Sequence, residues 1–360
     1  MHKTLFIIQG LDKGGLELYL LRFIKYSRTF LLSEVLCKGT STHWVLEDDF
    51  RSNDCTVTNF NMGHFSLRSW FRFYQYLRKN KYQTVCDFTG DFAGIPILLA
   101  YLAGVPTRIT LYRESRPQFK NSLLRSIYAA FVRRFVRNFS SSILSNSKEA
   151  LNYFYKDHVP KNSKVIYNGL NKREMSLIPS ESRLKLGLPA NKIIVGHVGR
   201  FTPAKNHQLI FDLAVEMEND YPDVIFAFCG KGVAEALNNN NIKPENILCL
   251  GICNNIWEFL YSIDIFIFPS LNEGQPNALI EAMLANKPFI ASDISTIRES
   301  VPEFYQSELI TEESVDLYKQ GIIKLIEDRQ NTVFSEISDW ANIQFRESNR
   351  LQEFLDEILS

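Results

Sequence analysis

The chain has 360 residues, 45% of them hydrophobic, which is enough for two ordinary domains with full cores. The net charge is zero, but residues 1–170 hold 24 lysines and arginines against 12 acidic residues, whereas residues 171–360 hold 16 against 28. The opening apolar run is too short for a signal peptide, and the longest one, around residues 95–105, contains Pro96 and Gly104 and is excluded as a membrane span. We therefore expect a cytosolic protein that crosses no membrane and whose basic half meets an anionic partner.

The six cysteines form no C-x-x-C pair and no regular framework. Three of them fall in predicted strands, where a free thiol acts as a small buried hydrophobe. This pattern is typical of a reducing compartment. We therefore expect no disulfide and no metal site.

Strand-like apolar runs alternate with helical stretches through the first 170 residues. A strand at residues 4–8 leads into a turn with Gly14 and Gly15, and a helix follows. The glycines do not fit G-x-G-x-x-G, so a dinucleotide site is not predicted; they either bring backbone close to a ligand or form a plain turn. Further strands are predicted at 30–36, 57–60, 84–88, 108–112 and 142–144, and helices at 67–79, 92–103, 120–137 and 148–155. This alternation predicts a parallel sheet with helices on both faces.

The alternation restarts after a polar stretch, residues 171–190, which carries two prolines and marks a domain boundary. Strands are predicted at 193–198, 224–229, 247–250, 263–268 and 288–291, and helices at 207–218, near residue 257 and at 276–284. We expect an α/β protein with an N-terminal domain at 1–170, a second domain at 171–340 and a helix at 341–360 that packs back on the first domain. Ligands of such sheets bind beyond the carboxyl ends of the strands, so we expect the site in the cleft between the domains.

Residues 270–283 place two carboxylates where a strand ends and a helix starts. Pro276 and Asn277 are predicted to open the helix, with Asn277 as a local cap. Glu273 precedes this helix, and Glu281 lies one turn past Asn277. Carboxylates suit sugar hydroxyls, and a helix N-terminus attracts phosphate. The alternative is a capped helix with two surface glutamates.

A second group of charged residues, Arg200 and Lys205, lies in the loop after the strand predicted at 193–198. Arginine offers a planar fork for phosphate oxygens, and lysine a compact point charge. The pair is a candidate diphosphate clamp, although basic loop residues are often only solvated.

Together, Arg-x4-Lys and Glu-x7-Glu resemble the family 4 glycosyltransferases of GT-B fold. Residues 14–17 resemble the N-terminal glycine loop of that family, 165–169 its interdomain segment and 264–270 the strand before its paired glutamates. The resemblance covers nearly the whole chain and is strongest over 193–301. It implies two Rossmann-like domains facing a central cleft, and a retaining glycosyltransferase that needs no metal.

The resemblance also implies roles for individual residues. Arg200 and Lys205 would bind the donor diphosphate and, with Glu273, form the catalytic set; Glu281 would hold the ribose hydroxyls. No cofactor is expected beyond the donor substrate, because two cations and a helix N-terminus can neutralise the leaving diphosphate. The remaining donor-binding residues implied are Gly14, Gly15, Gly274, Gln275, Pro276 and Asn277.

One departure from the family concerns the acceptor side. Many relatives carry a histidine at the end of an N-domain strand, whereas the strand predicted at 108–112 is followed by Arg113 and Glu114. These two residues are acceptor-side candidates without an assigned role.

Basic and aromatic residues are concentrated at 68–79 and 108–139. On amphipathic helices this composition suits an anionic membrane surface. An ordinary solvated helix face is the alternative, and nucleic acid is not expected because no recognised binding module is present. The arginines at helical spacing are Arg125, Arg133, Arg134 and Arg137.

These features predict an enzyme that moves a hexose or N-acetylhexosamine from a UDP- or GDP-linked donor to a lipid-linked or oligosaccharide acceptor. The expected process is biosynthesis of a surface polysaccharide, such as a capsule, exopolysaccharide or O-antigen, at the cytoplasmic face of a bacterial membrane. A nucleotide-sugar epimerase on the same fold is one alternative, but we find no acid/base set for it. A non-catalytic GT-B-like partner subunit is another, against which the four intact charged residues of the two motifs argue.

Overall fold

The computed structural model describes residues 1–12, 14–39, 41, 43–62, 66–113, 123–172, 179–239, 245–253, 255–328 and 332–360. The chain divides into two compact units. One comprises Met1–Asn168 with Ser348–Ser360, and the other Gly169–Glu347.

The first unit is built on a seven-stranded parallel sheet. Its strands are β1 (His2–Ile8), β2 (Leu31–Cys37), β3 (Thr56–Asn59), β4 (Thr84–Asp87), β5 (Thr107–Tyr112), β6 (Ser142–Ser145) and β7 (Ser163–Val165). They lie in the order β3-β2-β1-β4-β5-β6-β7. Its helices before the second unit are α1 (Gly15–Ser27), α2 (Glu47–Arg51), α3 (Leu67–Asn80), α4 (Gly94–Leu102), α5 (Leu123–Phe139) and α6 (Lys148–Tyr155).

Strand β1 shows why this sheet carries helices on both faces. Successive strand residues point to opposite faces, and here both faces are apolar. Leu5 and Ile7 pack with Leu77 of α3, whereas Phe6 packs with Phe23 of α1 in a second cluster. Each such fully buried side chain contributes about 1.5–3 kcal/mol to the free energy of unfolding.

The second unit is built on a five-stranded parallel sheet. Its strands are β8 (Ile193–Val198), β9 (Val224–Cys229), β10 (Ile247–Cys249), β11 (Ile265–Phe268) and β12 (Phe289–Ala291), in the order β10-β9-β8-β11-β12. Its helices are α7 (Pro179–Lys185), α8 (His207–Met217), α9 (Val233–Asn239), α10 (Ile256–Ser262), α11 (Asn277–Leu284), α12 (Ser295–Ser300), α13 (Val315–Glu327) and α14 (Val333–Gln344). The chain ends with α15 (Glu347–Leu359).

The predicted fold class is confirmed, since both units are α/β with a parallel sheet. Two predicted strands, 193–198 and 224–229, coincide with β8 and β9. The polar stretch 171–190 contains a short helix, α7, which the sequence pattern does not predict. Arg183 anchors this short helix by donating from Nη2 to Asp264 Oδ2 at 2.6 Å and from Nε to the carbonyl of Ser262 at 2.8 Å.

The limits of the two units differ slightly from the sequence-based ones. The sequence places them after residues 170 and 340, whereas the structural division falls after Asn168 and Glu347. Helix α14 therefore lies in the second unit and α15 in the first. In the first unit, the Phe354 ring of α15 lies 4.5 Å from the Phe23 ring, and Glu357 pairs with Lys164 at 2.7 Å.

The prediction that the chain has no disulfide is wrong for one pair. Cys229 and Cys253 are bonded, with their Cα atoms 5.8 Å apart. Strands β9 and β10 are parallel neighbours with Cys249 opposite Phe228, so the chain beyond both strands runs side by side. A sequence separation of 24 residues gives no sign of this pairing. The other cysteines are free thiols.

No helix among the described residues is both long and apolar enough to cross a bilayer.

Candidate active site

The two charged motifs meet at the carboxyl edge of the second sheet. Strands β8 and β11 are parallel neighbours with Val195 opposite Ile265, so their following loops leave the sheet side by side. The N–H of Leu271 in the second loop donates to the carbonyl of Ala204 in the first at 2.8 Å. The pairing of β8 with β11 therefore brings together two motifs that are far apart in the sequence.

Lys205 and Glu273 form an ion pair at this edge. Lys205 Nζ lies 2.6 Å from Glu273 Oε1, and the two side chains are 21% and 11% exposed. The same ammonium group lies 4.6 Å from the centroid of the Phe268 ring, at the end of β11. Partial burial, a counter-ion and an aromatic face hold Lys205 in one place.

The loop that carries Lys205 has a defined backbone. Pro203–Lys205 forms one turn of 3₁₀ helix, and Asn206 follows with φ 51° and ψ 46°, the left-handed conformation that asparagine tolerates. Arg200 lies exposed at the start of this loop, and no other described residue forms an ion pair with it. Because Lys205 and Glu273 neutralise each other, Arg200 supplies the excess positive charge.

Two glycines allow neighbouring loops to touch. The Gly199 N–H donates to the carbonyl of Cys229 at 3.0 Å, and the Gly230 N–H donates to the carbonyl of Gly251 at 2.7 Å. A Cβ at Gly230 would lie 1.8 Å from the carbonyl oxygen of Gly199. The backbone approach is therefore possible only with glycine at position 230.

A pair of buried histidines underlies the loop. The rings of His197 and His207 lie 4.7 Å apart, edge to face, and His197 Nδ1 contacts the carbonyl of Ile267 at 2.9 Å. Burial lowers the pKa of His207 to about 4 and holds the pKa of His197 well below its usual value, with the neighbouring His207 adding to the effect. Both rings are neutral near pH 7, which is consistent with a supporting role.

Helix α11 starts one residue later than predicted. Its first residue is Asn277, and Pro276 takes the cap position with φ −79° and ψ 68°. The prediction of Asn277 as the cap is therefore wrong: the chain turns into the helix at the proline, whose ring fixes φ near that value. Gln275 and Pro276 are buried and Gly274 is partly buried, as is Glu281 in the second turn.

The predicted glycine loop of the first unit forms the start of α1. Gly15 is the first helical residue, and Gly14 precedes it in an extended conformation with φ −138°. A Cβ at Gly15 would meet nothing within 4 Å, whereas one at Gly14 would meet the flexible carboxylate of Glu17 at 2.4 Å. Unlike Gly230, neither position is required to be glycine by the surrounding backbone.

Of the acceptor-side candidates, Glu114 lies outside the described residues. Arg113 follows β5 and is partly buried. Its guanidinium carbon lies 3.6 Å from the centroid of the Tyr19 ring, and its Nη1 donates to the side-chain oxygen of Asn168. The structure therefore brings α1, β5 and the end of β7 together around this side chain.

Sequence reasoning missed a buried charged group beside these residues. Lys38, just after β2, lies 2.8 Å from Oδ2 of Asp87 at the end of β4, and Asp87 is fully buried. Asp87 Oδ1 also accepts from the N–H and hydroxyl of Thr89, at 2.8 and 2.6 Å. The aspartate at the end of β4, a strand buried throughout, was the available sequence sign of this buried charge.

The basic surface predicted to meet a membrane is partly committed to internal contacts. Arg133 donates from Nε and Nη2 to the two oxygens of Asp91, at 3.0 and 2.6 Å. It is therefore tied into the fold, which corrects its assignment as a lipid contact. Arg134 and Arg137 are exposed, and the side chain of Arg125 lies outside the described residues.

Residues 180–337 match the family model of the glycosyl transferases group 1, and this range contains both motifs. A capsular polysaccharide biosynthesis glycosyltransferase, CapH of Staphylococcus aureus, is 27% identical over 93% of this chain and 94% of its own. The Escherichia coli UDP-Gal:alpha-D-GlcNAc-diphosphoundecaprenol alpha-1,3-galactosyltransferase is 26% identical over 75% of this chain and 73% of its own.

Solved structures give the same answer for the fold. Anabaena HepE, crystallised with UDP and glucose, superposes with a TM-score of 0.82 at 19% identity over 99% of both chains. The Staphylococcus aureus protein TarM superposes with a TM-score of 0.74 at 12% identity over 100% of this chain and 99% of its own. The fold is GT-B, residues 180–337 match the glycosyl transferases group 1, and the protein is a glycosyltransferase.

Proposed function

We propose that this protein transfers a hexose or N-acetylhexosamine, with retention of anomeric configuration, from a nucleotide diphosphate sugar to a lipid-linked glycan acceptor in surface polysaccharide biosynthesis. The observation that carries the proposal is the 2.6 Å contact between Lys205 and Glu273. It places a cation suited to phosphate beside a carboxylate suited to sugar hydroxyls, at one edge of the sheet. Exposed Arg200 adds a second cation in the same loop.

The donor half of the proposal rests on charge. A leaving nucleoside diphosphate gains negative charge as the glycosidic bond breaks, and fixed cations stabilise it. Arg200 and Lys205, together with the N-terminus of α11, would supply that stabilisation without a metal, while Glu273 accepts from sugar hydroxyls and Glu281 from ribose. A UDP-linked donor is favoured because a relative is named for UDP-Gal and HepE was crystallised with UDP-glucose.

The acceptor half rests on the relatives. Two of them, from Escherichia coli and Campylobacter jejuni, are named for acceptors linked to undecaprenol through a diphosphate. CapH is named for capsular polysaccharide biosynthesis and aligns with nearly the whole chain. A lipid-linked acceptor would place the enzyme at the cytoplasmic face of a membrane.

The proposal is tested with purified protein, a panel of UDP- and GDP-sugars, and an undecaprenyl-diphosphate-linked sugar as acceptor. We expect nucleotide release only when donor and acceptor are both present, an axial or equatorial anomeric linkage identical to that of the donor by NMR, and unchanged turnover in EDTA. Release or isomerisation without acceptor would indicate an epimerase. No turnover with any pair would indicate a non-catalytic subunit, and loss in EDTA restored by Mg²⁺ or Mn²⁺ would refute metal independence.

Membrane association is proposed through the exposed face of α5. Arg134 and Arg137 are exposed there beside Phe131, which is itself 55% exposed. Each basic residue near an anionic surface contributes about 1 kcal/mol. In cosedimentation with phosphatidylserine vesicles at physiological salt, Arg134→Gln with Arg137→Gln should weaken binding, whereas Lys324→Gln in the second unit should not. Equal binding to anionic and neutral vesicles would leave the solvated helix face as the explanation.

A further inference from the structure

Arg113 is held in an unusual position at the carboxyl edge of the first sheet. Its guanidinium lies over the Tyr19 ring of α1, with Cζ 3.6 Å from that ring centroid and 5.8 Å from the centroid of the Phe88 ring beyond β4. Nη1 donates to the side-chain oxygen of Asn168. Three separate chain segments thus contact one side chain.

This cation has no counter-ion among the described residues. Its Nη1 donates to a neutral amide, and its Nε is buried without a hydrogen-bond partner. The nearby carboxylate of Asp87 is already paired with Lys38. Burial lowers the pKa of Arg113, and the like charge of Arg22 on α1 acts in the same direction.

Such an arrangement is costly in the absence of an anion. A guanidinium keeps its proton at any physiological pH, so it cannot relieve desolvation by becoming neutral. An uncompensated cation that is withdrawn from water destabilises the fold, whereas an oxyanion on the open part of the fork would satisfy it. The N-terminus of α1, one turn before Tyr19, has the same preference for negative charge.

We propose that Arg113 binds a diphosphate oxygen of a substrate. This rests on the proposed function, because that reaction brings two diphosphates to the enzyme, one in the nucleotide donor and one in the lipid-linked acceptor. The planar guanidinium suits the diphosphate of either substrate, so the ligand proposed for Arg113 is a diphosphate oxyanion.

The test uses Arg113→Gln, which removes the charge, and Arg113→Lys, which keeps it but loses the fork and the stacking. Arg28→Gln, an exposed arginine beyond the other end of α1, is the matched control. Circular dichroism and thermal unfolding first establish which variants fold. Calorimetry then measures binding of UDP, uridine and farnesyl diphosphate, and steady-state kinetics measures KM for donor and acceptor separately.

Loss of a charge-assisted contact should weaken binding about tenfold or more. If Arg113 contacts the acceptor, Arg113→Gln should weaken the binding of farnesyl diphosphate and raise the KM for the acceptor, while the binding of UDP is unaffected. If Arg113 contacts the donor, the binding of UDP should weaken, whereas the binding of uridine and of farnesyl diphosphate should not change. In either case, Arg113→Lys should fall between wild type and Arg113→Gln, and Arg28→Gln should match wild type.

Changes below twofold for both diphosphates in a folded Arg113→Gln or Arg113→Lys protein would overturn the proposal and leave Arg113 as a packing residue. Lys205→Ala in the same assays separates this result from failure of the proposed function. If wild type binds UDP and Lys205→Ala does not, the donor site stands whatever Arg113 does. If wild type binds no diphosphate at all, both proposals fail.

Discussion

The carboxyl edges of the two sheets are built in different ways. At the second edge, adjacent loops touch backbone to backbone, and Gly230 permits an approach that no other residue would allow. At the first edge, side chains hold the loops through charge pairs such as Lys38 with Asp87, and through the stacking of Arg113 on Tyr19. The glycines that open α1 have room around them or only a flexible neighbour.

This difference between the two edges explains why the second edge is more clearly marked by sequence motifs than the first. An edge made by close backbone packing constrains residue types at short, fixed spacings, and these are readable as a motif. An edge made by pairs of side chains far apart in sequence allows many equivalent pairs. We therefore expect the second edge to be sensitive to small changes in shape and the first to changes in charge.

The largest effect is expected from adding one methyl group at Gly230. Gly230→Ala places a Cβ against the carbonyl of Gly199, which cannot rotate away, so we expect a loss of about 3 kcal/mol in the free energy of unfolding. Gly15→Ala is the control at the first edge and should be neutral or stabilise by up to about 1 kcal/mol. Urea unfolding followed by tryptophan fluorescence measures both. Similar values for the two variants would break the comparison.

A smaller effect is expected when the cation of the second edge is removed. Lys205→Ala should weaken UDP binding by about 1.5–3 kcal/mol, because a charge-assisted contact to phosphate is lost. Uridine binding should change little. Calorimetry with both ligands decides the matter, and equal losses for UDP and uridine would remove Lys205 from the phosphate site.

The histidines beneath the second edge should make stability depend on pH. The pKa of His207 is lowered to about 4 in the folded state, so below the ordinary value of 6.5 the unfolded state takes up a proton that the folded state does not. Stability from this group is complete above pH 6.5 and declines by about 2 kcal/mol between pH 6.5 and 5. Urea unfolding across that range should give a flatter profile for His207→Gln.

The control for this profile is His158→Gln, which removes an exposed histidine of the first unit. Its pH profile should follow wild type. A His207→Gln protein with the wild-type slope would show that another group dominates the acid destabilisation.

The smallest effect is expected at Glu281. Its carboxylate can accept hydrogen bonds from two ribose hydroxyls, whereas the amide of Glu281→Gln offers one acceptor and one N–H group. The binding free energy of the nucleotide sugar should therefore weaken by about 1 kcal/mol. The loss should shrink with a 2′-deoxyribose donor, and a cycle over both changes isolates the coupling. If both proteins discriminate the two donors equally, Glu281 does not contact that hydroxyl.

The sequence predicted the fold and the second edge better than the first edge. Apolar runs located β8 and β9 to the residue, because strands buried on both faces are marked along their whole length. The charged motifs of the second edge are local, so their residues could be named in advance, although whether they bind substrate stays a prediction. The pairing of Arg133 with Asp91 and the bond between Cys229 and Cys253 depend on which helices, loops and strands become neighbours, which no local pattern records.

The ion pair between Lys205 and Glu273 has a consequence for the end of the reaction cycle. Lys205 already has a counter-ion in Glu273, so a nucleoside diphosphate bound there as proposed would not leave an uncompensated cation behind when it departs. Under the proposed function, Lys205 would exchange one anionic partner for another, and Glu273 would compete for it as the product leaves. A group assigned to sugar recognition would in this way also hasten product release, and turnover would depend on the balance between two rival anions.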